Sequence, residues 1–210
     1  MIVPDAFGDP ARVARLMRGY PHRWGICGGW AIDLLLNRVT RHHKDVEIAV
    51  WRRDQLVLRS HLASRGWMME KAVKGGFEPW REGEYIELPV HGLWCRNPDH
   101  DPDFLEVLLN EADEERFLFR RDMSISLDIG RAFVWTESGL PILAPEIVLL
   151  YKAKPVGDEV NEADFRVCLP HLDASRRAWL ENALQHMYPG HPWLDRLKNR
   201  PPQSPWEGYP

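Results

Sequence analysis

Residues 24–50 read WGICGGWAIDLLLNRVTRHHKDVEIAV. The apolar run 24–27 stops at Gly28 and Gly29, after which Ile32, Leu35 and Leu36 recur at helical spacing. That order predicts a strand, a glycine turn and a helix. Farther on, Val46, Ile48 and Val50 alternate with Asp45, Glu47 and Ala49, the period of two expected of a half-buried strand over 45–50. Two acids then fall on one face of that strand.

Working outward, Asp9 and Pro10 look like an N-cap and first helical position, with Val13, Leu16 and Met17 on one helical face. Downstream, 56–63 reads as a helix ending near Gly66, and 85–90 and 104–109 read as strands parted by the polar, turn-rich stretch 97–103. Further strands are expected at 132–135 and 141–143. Pro145 then opens a helix through Lys152, followed by helices over 161–168, 173–187 and 193–198. The tail 199–210 holds four prolines and is expected to be extended or without fixed structure. Helices and strands alternate without regular βαβ units, so the fold class is α/β of the α+β kind. A mixed sheet flanked by helices, with a mainly helical C-terminal part, is favoured over a doubly wound parallel one.

The chain has 210 residues, enough for one sizeable domain or two small ones, and its ten tryptophans are large packing anchors. Trp24, Trp30, Trp51, Trp67, Trp80, Trp94 and Trp135 are candidates for the core or for stacking on a base or sugar ring. With 27 Lys and Arg against 31 Asp and Glu the net charge is −4, and no basic block is present, which argues against a nucleic-acid polymer as partner. Cys27, Cys95 and Cys168 are far apart and form no metal or disulfide pattern. No run approaches the roughly eighteen apolar residues of a membrane span, and residues 1–10 lack a signal pattern, so the expected location is the cytoplasm.

Asp45 and Glu47 are suited to hold one hard divalent cation, or to bridge two, through oxygen ligands, and Mg²⁺ is the natural choice. The same pair on an edge strand could simply face solvent. A Gly28-Gly29 turn between strand and helix can point free backbone N–H groups at a phosphate, or it can be a tight turn needing positive φ. Glu106 lies between Leu105 and Val107 in an apolar run, where a buried charge is costly unless it is paired or bound to a cation. Lys152 and Lys154 end a predicted helix, where cations complement its dipole.

Together, Gly28-Gly29-Trp30-Ala31-Ile32-Asp33, Arg38-Val39-Thr40-Arg41 and His43-Lys44-Asp45-Val46-Glu47 resemble the nucleotidyltransferase superfamily that includes DNA polymerase beta. The nearer resemblance is to the aminoglycoside and lincosamide nucleotidyltransferases. It is close over about 24–50 and looser through Glu106 and 145–154. It implies that Gly28 and Gly29 hold nucleotide phosphates and that Asp45 and Glu47 bind Mg²⁺. Glu106 then completes the metal site or acts as base, and Lys152, Lys154 and His43 lie near the nucleotide. Many relatives carry Asp where this chain has Glu47 and Glu106, and Asp103 competes with Glu106 for the third role. Asp33 is expected to serve the dipole of its helix. The implied activity is Mg²⁺-dependent transfer of a nucleoside monophosphate, AMP from ATP or another NTP, to a hydroxyl of a small molecule such as an antibiotic. Transfer to a protein or tRNA, and nucleotide binding without turnover, are the alternatives. The implied organisation is a core over 1–110, an acceptor-side region over 111–198 and the tail.

Overall fold

The structure, a computed structural model, describes residues 5–154 and 158–198. In chain order it contains α1 (Gly8–Leu16), β1 (Trp24–Ile26), α2 (Gly28–Leu35), β2 (Glu47–Trp51), α3 (Gln55–Ala63), β3 (Met68–Val73), β4 (Gly76–Pro79) and β5 (Gly92–Arg96). Then come β6 (Phe104–Ala112), β7 (Arg116–Leu118), β8 (Ser126–Asp128), β9 (Phe133–Trp135), β10 (Pro141–Leu143), α4 (Pro145–Lys152), α5 (Glu159–Cys168), α6 (Ala174–Met187) and α7 (Trp193–Lys198). The chain divides into two compact units, Met1–Val148 and Leu149–Pro210, so α4 carries it from one into the other. No helix among the described residues is long and apolar enough to cross a membrane.

The first unit is built on a mixed sheet in the order β4-β3-β5-β6-β2-β1-β10-β9, with β7 and β8 continuing from β6. β2 pairs parallel with β6, and β1 parallel with β10, while the other neighbours are antiparallel. Alternation in β6 explains which face is the core. Leu105, Val107 and Leu109 are at most 1% exposed, whereas Phe104, Glu106 and Leu108 are half-buried. Each such aliphatic side chain taken from water contributes about 1.5–3 kcal/mol. Cys95 and Leu93 of β5 and Ile48 and Val50 of β2 lie on the same buried side.

Two expectations need correction. Residues 85–90 are a loop, not a strand: the Ile86 amide donates to Gln55 Oε1 (2.7 Å) and its carbonyl accepts from Gln55 Nε2 (3.1 Å) and Arg52 Nη1 (3.0 Å). Those bonds consume the groups a ladder would use, and Pro89 has no N–H to offer one. Asp45 lies in the bend before β2, which starts at Glu47, so the acids do not sit on one strand.

The second unit is helical. Asp158 caps α5 by accepting from the Val160 and Asn161 amides, so the helix starts two residues before the expected 161. Asp173 caps α6 likewise. Phe165 of α5 stacks on Trp193 of α7 at 4.1 Å, and Glu162 accepts from Trp193 Nε1 and from the Arg196 guanidinium. The proline-rich stretch 199–210 lies outside the described residues.

Candidate active site

Glu47 opens β2 and Glu106 lies in β6, and the parallel register makes them direct partners. Partners in register project from the same face of a sheet. The Glu106 amide also donates to the carbonyl of Val46 (3.1 Å), which ties the entrance of β2, with Asp45 beside it, to this point of β6. Burial first, and then the charges of Glu47 and Asp45, together push the Glu106 carboxyl up to about 7. Three acids separated by 61 positions of sequence thus share one field. Asp103, the competing third acid, is exposed in the bend before β6, where its carbonyl accepts from the Asn97 amide.

The glycine turn meets these acids directly. Gly28 follows β1 with φ of 62°, and a methyl group placed on it would overlap the Glu47 carboxylate. Only glycine takes that conformation freely and leaves the carboxylate its place against the turn. A methyl group on Gly29 would collide with the Arg41 guanidinium and come within 2.7–2.8 Å of the His43 ring. Gly28, Gly29, His43, Asp45, Glu47 and Glu106 are therefore gathered at one end of β1 and β2.

Sequence reasoning missed what holds His43 there. Asp33, 1% exposed, accepts from the Thr40 amide (3.1 Å), from the Thr40 hydroxyl and from His43 Nε2 (2.6 Å). The His43 ring lies over Trp30 at 4.3 Å and is 5% exposed. Asp33 thus anchors the loop after α2 and turns the other edge of His43 toward Gly29. The expected role of Asp33 at the helix dipole gives way to this one. Its only signal in the sequence was a buried acid on the apolar side of α2. Arg41, against the same turn, adds a cationic group beside Gly29.

Lys152 and Lys154 belong to the second unit. The Lys152 ammonium is 2.8 Å from Asp164, itself 2% exposed, and 3.3 Å from Asn161 Oδ1. Lys154 is exposed just after α4, and its carbonyl accepts from His191 Nε2.

For a metal, the donor set is three hard oxygen ligands whose mutual repulsion a cation would relieve, which fits Mg²⁺ chemistry. Among the described residues no three such groups are yet spaced to hold one ion, so the fit is one of charge and donor type.

A glycine turn from strand to helix with carboxylates on the next two strands of a mixed sheet defines the nucleotidyltransferase class of fold. Residues 11–106 match the family model of aminoglycoside-2''-adenylyltransferases. The solution structure of the antibiotic-resistance factor ANT(2'')-Ia superposes with a TM-score of 0.58 at 16% identity, over 89% of this chain and 95% of that one. A crystal structure of ANT(2'')-Ia with adenylyl-2''-tobramycin gives 0.56 at 15%, over 84% and 95%. The lincomycin-bound lincosamide adenylyltransferase LnuA gives 0.54 at 13%, over 79% and 97%. At these identities the superpositions show the fold. No curated protein sequence matches the chain. The family match and the fold bear out the resemblance to the nucleotidyltransferase superfamily, its aminoglycoside side through the match over 11–106, and support a nucleotidyltransferase enzyme.

Proposed function

We propose that this chain transfers AMP from ATP to a hydroxyl of a small acceptor, an antibiotic of the aminoglycoside or lincosamide kind. The observation that carries the reading is the pairing of Glu106 with Glu47 beside the Gly28 turn. Transfer requires an acceptor oxygen to attack the α-phosphorus in line with the departing pyrophosphate, and a group to take the hydroxyl proton. Free N–H groups of the turn, with Arg41 and His43 beside Gly29, bind the phosphates. Asp45 and Glu47 would hold Mg²⁺, and a bound ion would supply positive charge to neutralise the phosphates. Glu106, the register partner of Glu47, accepts the proton at its Oε atoms. The acceptor oxygen gains a bond to the α-phosphorus, the bond from that phosphorus to the bridging oxygen breaks, and pyrophosphate carries away the electron pair.

The test is incubation with ATP, Mg²⁺ and a mixture of aminoglycosides and lincosamides. Pyrophosphate should appear only with an acceptor present, and one acceptor should gain the mass of AMP. Pyrophosphate that appears only with added tRNA or protein, or never, contradicts the proposal.

A further inference from the structure

Beyond Glu106 the same sheet face continues as an aromatic ledge. Trp94 of β5 is the register partner of Glu106, so its side chain stands next to the acid. Phe77 of β4 lies over Trp94 at 3.9 Å, and Phe104 of β6 meets it edge-on at 5.4 Å. The Arg96 guanidinium sits 5.5 Å from the Trp94 ring and 4.8 Å from Phe104. These rings are not core: Phe77 is 43% exposed, neighbouring Met68 is 63% exposed, and Trp94 and Phe104 are half-buried, while Leu93, Cys95 and Leu105 on the other face are 0% exposed. An accessible ring cluster continuous with a carboxylate is a recognition surface more than a packing device.

Its position in the sheet selects what it would hold. The order β4-β3-β5-β6-β2-β1 puts the glycine turn on one side of Glu106 and the ledge on the other. In-line attack brings the acceptor oxygen from the side opposite the leaving pyrophosphate. We propose that Trp94, Phe77 and Phe104 hold the ring-bearing, non-reacting part of the acceptor, which makes this site favour hydroxylated compounds that offer a flat apolar face. This rests on the reading of Glu106 as the proton acceptor.

Two uncharged probes isolate the ring: phenyl β-glucoside and methyl β-glucoside, titrated into the full chain with Mg²⁺–ATP by ligand-observed NMR. Phenyl glucoside should bind about tenfold more tightly, as stacking and ring burial together allow. Trp94→Ala should erase that preference while Mg²⁺–ATP binding is unchanged. Phe77→Ala, at an exposed position, should reduce it and serves if the Trp94 variant does not fold. Equal affinity for the two probes, binding of neither, or a preference that survives both substitutions overturns the ledge. Failure to bind Mg²⁺–ATP at all would instead sink the reading of the site as a nucleotidyltransferase centre.

Discussion

At the residue scale the site turns on Glu106, whose carboxyl lies beside its register partner Glu47 and within the field of Asp45, and is shifted upward by burial and by their charges. An acid whose pKa is higher in the folded chain than in the unfolded one binds protons more tightly when folded. Its contribution to stability is fully present below about 4.5, the ordinary value, and is lost as pH rises through about 7. In metal-free protein the Tm of the wild type relative to Glu106→Gln should therefore fall between those two pH values. A difference that stays flat, or that rises with pH, would place Glu106 away from the other acids. Glu47, Glu106 and the glycine pair were legible because each belongs to a short pattern of strand or turn, whereas the same alternation put Asp45 on a strand that begins only at Glu47. The Asp33, Thr40 and His43 cluster could not, since it joins α2 to an irregular loop with no periodicity to betray it.

At the element scale, the pattern revealed β6 through its apolar run and α6 through its length, but not the hairpin of β3 and β4. Met68, Glu70 and Ala72 face the open side while Met69, Lys71 and Val73 face the other, so polar and apolar residues fall on both. The stretch 85–90 misled for the opposite reason: its alternation is genuine, yet its backbone is bonded to Gln55 and Arg52. In the second unit, Lys152 at the end of α4 is paired with buried Asp164 of α5. Removing one member of a buried pair typically costs about 3–5 kcal/mol. Lys152→Met should lower thermal stability accordingly, and replacing both Lys152 and Asp164 by apolar residues should recover much of the loss. A Lys152→Met protein as stable as the wild type would show that the pair carries no structural weight.

At the scale of the whole molecule, one sheet collects the chemistry. Its order places the glycine turn, then Glu47 and Glu106, then the aromatic ledge, and in the proposed reaction donor and acceptor would approach the reacting phosphorus from opposite sides. The central claim is that Asp45 and Glu106, far apart in sequence, act on one reaction. Residues that work as a unit show strongly non-additive losses, whereas independent sites add in free energy. The direct test is a double-mutant cycle on kcat for AMP transfer with Asp45→Asn, Glu106→Gln and the double variant. The account predicts that each single substitution costs about a hundredfold or more, and that the double variant is hardly slower than the worse single one. Losses that multiply across the cycle, or a single variant with unchanged kcat, would contradict it.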